Sequence, residues 1–367
     1  MANPFANFKL PVFSNAFNMF FPKKMIGIDV GTSSIKVVEL SRWGSGKTLE
    51  NYGEIKAMSL YKEPFKNQEK GSYLLSNHFV SRAVKAVLQE AKIKTKAAIF
   101  SIPDFSTFCV SFELPPMTEK EINQAVYYNA PQYIPLPIAE TTLEWRLIGG
   151  NPGDKKSPLK IFLVAIPNQI VSQYQTVAKM ADLDLYAVEA EALGLTRVLV
   201  GNSKISICLI DIGMQSTTIN VIDKGNLKKS YSFNFSGSQL THAVSSVLGL
   251  GRTEAEEIKN KQGLISNKEN VVETLYLLID PLLLEIKRIL SDFYQAEERE
   301  IEEIYLTGGT SSLFGLKEYF EETLKKKVKI SNCFSDILYP PILEESLKEM
   351  APSFSVAVGV ALGGLET

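Results

Sequence analysis

Two segments of this sequence set an aspartate, a glycine two residues later and a run of hydroxyl side chains at the end of an apolar stretch. The first is Ile28-Asp29-Val30-Gly31-Thr32-Ser33-Ser34-Ile35-Lys36 and the second is Ile210-Asp211-Ile212-Gly213-Met214-Gln215-Ser216-Thr217-Thr218. Turns of this kind suit a phosphate. Glycine lets the backbone approach an anion with no Cβ in the way, and successive backbone N–H groups in a tight turn form an anion-binding concavity. Thr32, Ser33, Ser34, Ser216, Thr217 and Thr218 add side-chain donors, and Lys36 is placed to neutralise phosphate charge. An aspartate repels a phosphate directly. Asp29 and Asp211 fit instead as outer partners of a Mg²⁺ ion, which keeps several of its waters when it bridges phosphates.

One Asp-x-Gly turn is a commonplace of chain reversal. Here the two copies are 182 residues apart and a third turn, Leu306-Thr307-Gly308-Gly309-Thr310-Ser311, joins them. A spacing that long implies duplicated domains, because solenoid repeats recur every 20 to 50 residues or so. The tempting Gly44-Ser45-Gly46-Lys47-Thr48 is no phosphate loop: Ser41 stands where the motif needs glycine, and the segment lies between two strands. It reads as a hairpin turn.

The elements that would hold these turns follow from periodicity and punctuation. Strands are expected over 25–30, 35–40, 49–58, 97–102, 109–114, 142–147, 160–166, 205–212 and 304–306, and a further strand after Gly213. Helices are expected over 77–91, 118–129, 169–181, 238–248, 252–261, 271–296 and 313–324. Pro131 should end the helix that begins at Thr118, and Gly149 to Pro158 should be a polar turn. The charge run Lys325-Lys326-Lys327-Val328-Lys329 reads as a solvated helix end.

Composition bounds the function. The chain has 367 residues, 45% hydrophobic and 22% charged, enough for two domains with cores of their own. A net charge of −2 argues against a dedicated nucleic-acid binder. Cys109, Cys208 and Cys333 are far apart and odd in number, which reads as buried thiols in a reduced compartment. His78 and His242 share no metal-ligand spacing with each other or with the cysteines. No run of 18 apolar residues is present, so no membrane-spanning helix is expected. Residues 1–23 form an aromatic arm carrying Phe5, Phe8, Phe13, Phe17, Phe20 and Phe21. It reads either as an arm packed on its own domain or a neighbour, or as a segment docking at a membrane interface.

At the phosphate-type turns the sequence resembles the actin-like ATPase superfamily. The segment from Asp29 to Lys36 resembles its first phosphate loop, Asp211 to Thr218 its second, and Leu306 to Ser311 its adenosine motif. Val188-Glu189-Ala190-Glu191-Ala192-Leu193-Gly194 resembles the first helix that crosses between domains, and Ala357 to Gly363 the second. Glu189 matches the carboxylate that orients the attacking water in hydrolytic members. Glu256, Lys259 and Asn260 match positions that contact adenine and ribose, against the plainer reading of helix-surface charges. Within the superfamily the chain is similar to the PilM family of type IV pilus machines. That likeness rests on Phe112-Glu113-Leu114-Pro115-Pro116-Met117 and Tyr133-Ile134-Pro135-Leu136-Pro137. One departure is Ser236-Gly237-Ser238, where relatives carry a glycine pair.

The resemblance implies an α/β, actin-like fold with two duplicated domains around a nucleotide cleft. In its terms 24–103 and 168–203 are subdomain 1A, 104–167 the inserted subdomain 1C, 204–240 and 301–367 subdomain 2A, and 241–300 subdomain 2B. It implies ATP or ADP with magnesium held through water by Asp29 and Asp211. Gly31, Gly213, Gly308, Gly309 and Thr310 would take the nucleotide together with the hydroxyls named above. It implies a scaffold with at most slow hydrolysis at the cytoplasmic face of the inner membrane. The implied partner is the N-terminal cytoplasmic tail of PilN, docked as an extended peptide between 1A and 1C, with pilus motor ATPases and self-association as further contacts. An FtsA-like filament former, a type II secretion homologue and an actin-fold ATPase or sugar kinase are the alternatives. FtsA ends in an amphipathic membrane helix, whereas this chain is expected to end soon after its second crossing helix.

Overall fold

In a computed structural model of the chain, residues 23–56, 76–154, 156–200 and 204–366 are described. The aromatic arm lies outside them, apart from its last residue. The chain forms two compact units, one of residues 1–195, 336–342 and 356–367, the other of 196–335 and 343–355.

In the first unit, β1 (Lys23–Val30), β2 (Ser34–Trp43) and β3 (Gly46–Lys56) form an antiparallel meander. The decoy turn is the β2–β3 hairpin, with Gly44 in the left-handed region at φ 59°. Helix α1 (Asn77–Glu90) opens on Ser76, whose side chain accepts from the Phe79 N–H. Strand β4 (Ala97–Ile102) then runs parallel to β1. Next come β5 (Phe108–Leu114), α2 (Glu119–Asn129), β6 (Thr141–Gly149), β7 (Leu159–Pro167), α3 (Asn168–Ala181), β8 (Asp184–Ala190) and α4 (Glu191–Leu199). The main sheet has the order β3-β2-β1-β4-β8, and β5-β7-β6 make a separate antiparallel sheet.

That small sheet has its own core. Leu114, Leu159, Ile161, Leu163 and Ala165 pack against Ile122 and Val126 of α2. A reciprocal capping box starts α2, with the Thr118 N–H donating to Glu121 Oε2 at 2.8 Å. The helix stops at Asn129, and Pro131 sits in a following 3₁₀ turn, as its missing N–H requires.

The second unit repeats the first meander. It has β9 (Ser206–Ile212), β10 (Thr217–Asp223) and β11 (Asn226–Phe233) antiparallel. Helices α5 (Gly237–Leu248), α6 (Arg252–Gln262) and α7 (Glu269–Glu297) follow, then β12 (Glu303–Thr307), α8 (Leu316–Leu324), β13 (Lys327–Ile330) and α9 (Glu344–Glu366), of which residues from Val356 onward belong to the first unit. The sheet order β11-β10-β9-β12-β13 matches that of the first unit, with β12 parallel to β9 as β4 is to β1. The duplication read from two Asp-x-Gly turns is thus a duplication of sheet topology.

Two local expectations are corrected, and one expected helix proves longer than its matched segment. Residues 188–190 are strand, and the helix expected there begins only at Glu191; three parallel ladder pairs with β4 hold them extended. The Lys-rich tail is a helix end only at its first residue. Lys325 terminates α8 at φ 52°, and Lys327–Ile330 pair with β12, with Lys329 salt-bridged to Glu303 at 2.6 Å. The helix around Ala357 starts thirteen residues earlier, at Glu344, and carries Pro352 inside it.

Candidate functional site

Each Asp-x-Gly turn is the reversal of the first hairpin of its unit. Asp29 pairs with Lys36, and Asp211 with Thr218. A Cβ on Gly31 would stand 3.0 Å from the Ser34 carbonyl oxygen, and a Cβ on Gly213 would stand 3.0 Å from that of Ser216. The two turns therefore need glycine for the same reason, close approach across the reversal. Thr32, Ser33 and Ser216 are half-buried around the tips, while Ser34 and Thr218 are buried. Thr217 is turned inward: its hydroxyl donates to the Phe235 carbonyl at 2.9 Å and fastens the hairpin to the chain leaving β11.

Asp29 is only 6% exposed. The Ser101 hydroxyl donates to its Oδ1 at 3.0 Å, and Lys36 Nζ lies 3.8 Å from its Oδ2 and 4.0 Å from Glu54. Burial pushes the Asp29 carboxyl above its ordinary range, with the Lys36 charge and the Ser101 hydrogen bond opposing. Tyr174 of α3 is buried nearby with no partner for its hydroxyl among the described residues. Burial, then the charges of Glu191 and Asp29, push its hydroxyl pKa above the ordinary value and disfavour the phenolate.

In the second unit several candidates converge. Gly308 takes φ 82°, its N–H donates to the Pro352 carbonyl at 3.0 Å, and a Cβ on it would overlap Asp211 Oδ1. A side chain is thereby excluded from beside that carboxylate. Gly309 has open space around it, and the Thr310 N–H donates to the Ile212 carbonyl at 3.1 Å. The Gly237 N–H donates to the Gly213 carbonyl at 2.9 Å, and a Cβ there would strike Thr310 Oγ1. Only Gly237 of the expected glycine pair must be glycine. Ser236 caps α5 instead, accepting from the Gln239 N–H.

Lys259 and Glu256 are not loose surface charges. Lys259 is 3% exposed and its ammonium donates to the Gly237 carbonyl at 3.3 Å, Thr241 Oγ1 at 3.0 Å and both oxygens of Glu256 at 2.8 and 2.9 Å. Asn260 donates to Glu256 Oε1 at 3.3 Å. Burial lowers the Lys259 ammonium, with Glu256 opposing. Burial also works to raise Glu256, but Lys259, Thr241 and Asn260 outweigh it and hold the carboxyl below its usual value. This hydrogen-bonded pair ties α6 to the start of α5, next to the Gly213 turn.

Glu189 lies within β8, beside Ser101 of β4. Sequence reasoning missed Ser101 and Asp104. Ser101 is the one hydroxyl in the apolar strand Ala97–Ile102, which is a readable signal. Asp104 follows Pro103 in a 3₁₀ turn and is buried. Its Oδ1 accepts from the Ala192 N–H of α4 at 3.1 Å, its own N–H donates to Glu191 Oε2 at 3.4 Å, and its Oδ2 has no partner among the described residues. Burial pushes this carboxyl up to about 7, against the pull of the Ala192 N–H. Because the folded value exceeds the ordinary 3.8, the native state keeps a proton that the unfolded chain has lost. Stability is therefore highest below about pH 4 for this group and falls as pH rises to about 7, by roughly 1.4 kcal/mol per unit at the steepest. Asp104→Asn is expected to remove that slope. Urea denaturation of both proteins from pH 4 to pH 8 checks this, and parallel curves would refute it.

Comparison with known proteins adds the following. The family model described as type IV pilus assembly protein PilM matches residues 27–365. A solved PilM-PilN type IV pilus biogenesis complex superposes with a TM-score of 0.80 at 22% identity, covering 94% of this chain and 99% of that one. MreB 5 of Spiroplasma citri bound to AMPPNP superposes at 0.50 and 14% identity, covering 89% and 97%. Cell division protein FtsA of Staphylococcus epidermidis is 19% identical over 348 residues, 83% of this chain and 73% of its own length. The fold is that of the actin-like ATPases.

Proposed function

Since the chain belongs to the type IV pilus assembly protein PilM family, we propose that it is an ATP-binding scaffold of the pilus machine. The observation that carries this reading is the pair of equivalent hairpin turns, each with a glycine on which a Cβ would stand 3.0 Å from a carbonyl oxygen across the reversal. In the first unit Gly31, Thr32, Ser33, Ser34 and Lys36 are the proposed phosphate contacts; in the second unit they are Gly213, Ser216 and Thr218. Gly308, Gly309 and Thr310 bring bare backbone to the nucleoside side. Glu256 and Asn260 serve its ribose and base, with Lys259 holding Glu256 in place. Thr217 acts by anchoring its turn.

The described residues contain no group of three histidines, cysteines or carboxylates able to hold a metal ion directly. The residues present fit a hydrated Mg²⁺, reached through water by Asp29 and Asp211. When bound, the ion neutralises phosphate charge. Asp29 is desolvated, which favours its protonated form, and Lys36 at 3.8 Å opposes that. Glu189 is the proposed carboxylate for orienting water, and turnover is slow at most.

The partner we propose is the cytoplasmic N-terminal tail of a PilN-type inner-membrane protein. It docks as an extended peptide against the small sheet of residues 104–167, the proposed 1C subdomain, where main-chain hydrogen bonds supply affinity. Tyr133, stacked on Phe112 at 4.7 Å, and the exposed Tyr128 offer aromatic surface there. The protein would thereby sit at the cytoplasmic face of the inner membrane, with pilus motors and other copies of the chain as further contacts. Nucleotide shifts peptide affinity only as far as it binds the two states differently. Titration of a synthetic PilN-type tail with and without Mg-ATP is the test. Binding that changes with nucleotide supports the coupled scaffold, and no binding in either state overturns the partner assignment.

A further inference from the structure

The duplication provides an internal control on the two loop aspartates. In each unit the strand parallel to the loop strand carries a hydroxyl beside the aspartate. Thr307 of β12 pairs directly with Asp211, and Ser101 of β4 lies one residue past the last β1–β4 pair, Ile28–Phe100. Both hydroxyls are fully buried. A buried hydroxyl needs a partner, and the two units supply different ones. Thr307 donates to the Pro352 carbonyl at 2.9 Å, so its hydroxyl serves the backbone of α9. Ser101 donates to Asp29 Oδ1 at 3.0 Å, so its hydroxyl serves the loop carboxylate. Asp29 thus has Oδ1 hydrogen-bonded to Ser101, while Oδ2 faces the Lys36 ammonium at ion-pair distance, 3.8 Å.

We infer that Ser101 is a positioning residue for Asp29, pre-setting that carboxylate to receive the water shell of a nucleotide-bound divalent cation. This rests on the nucleotide reading above. Partners that orient a ligating group tune metal affinity by about tenfold to a hundredfold. Ser101 should accordingly affect the magnesium-dependent part of nucleotide binding and leave the remainder alone.

The test is ATP affinity measured by calorimetry in Mg²⁺ and in EDTA, for the natural protein, Ser101→Ala, Ser101→Thr, Asp29→Ala and the Ser101→Ala/Asp29→Ala double variant. The expected result is that Ser101→Ala cuts the gain in affinity from Mg²⁺ by about tenfold, keeps the EDTA affinity, and is rescued by Ser101→Thr. Should threonine prove too large for so enclosed a site, the double variant decides: Ser101→Ala adds no further loss where Asp29 is absent. If the natural protein shows no gain from Mg²⁺, the nucleotide–magnesium reading itself fails. If it shows the gain and Ser101→Ala retains it, or loses EDTA and Mg²⁺ affinity alike, the positioning role of Ser101 is overturned.

Discussion

Gly359→Val is expected to cost at least about 3 kcal/mol of folding stability, at the upper end of what overpacking costs. A Cβ on Gly359 of α9 would fall inside the contact shell of the Gly194 carbonyl of α4 and stand 2.8 Å from the Gly194 Cα. These are helix backbone atoms and cannot swing aside as a flexible side chain would. The same helix meets β1 at Gly27, where a Cβ would run into the Ala357 carbonyl and stand 2.8 Å from the Ala361 Cβ. Gly27→Val should therefore be similarly severe. A domain has only about 5–15 kcal/mol of stability in all, so either change should leave little soluble protein near 37 °C. Gly46→Ala is the control, since its nearest neighbour would be at 3.5 Å, an ordinary contact. Chemical denaturation of the three variants gives the answer, and a Gly359→Val midpoint equal to that of Gly46→Ala would refute this account of the crossing.

Asp29→Ala should abolish the Mg²⁺-dependent part of ATP binding while the fold survives. The carboxylate is buried, and its removal takes away a desolvated charge along with its partners' interactions. Lys36 retains Glu54 at 4.0 Å, and Ser101 is left with an unanswered hydroxyl, a cost of about 1–3 kcal/mol. Calorimetry with Mg-ATP reads the loss, and circular dichroism reads the fold. Unchanged affinity for Mg-ATP would remove the first loop from the nucleotide assignment.

Much of the site's backbone was legible because it is local. Glycine at 31, 213 and 308 answers to close approach or to a positive φ, and such demands act within a few residues. The capping box at Thr118, the stop at Pro131 and the decoy hairpin at Gly44 are local in the same way. The side-chain partners were not legible. Whether Lys259 reaches solvent or Gly237 depends on where α5 lies, twenty residues away in sequence and adjacent in space. Strand β13 was misread because Lys-rich surface charge is compatible with a helix end or an edge strand, and only its pairing with β12 chose between them.

What the sequence determined by itself is the repeated strand–turn–strand unit and the glycine and hydroxyl content of its turns, on which the phosphate proposal rests. Apolar runs bounded by Asp-x-Gly specify a strand and its reversal without reference to anything distant. Tertiary structure decided which strand lies beside each aspartate. That neighbour makes Ser101 a partner of Asp29 while Thr307, its counterpart, turns to Pro352. It also places Asp104 against the Ala192 N–H with one oxygen unsatisfied. A buried hydroxyl or carboxyl bonds to whatever the packing sets within about 3 Å, and residues so far apart in the chain become neighbours only when the sheet forms.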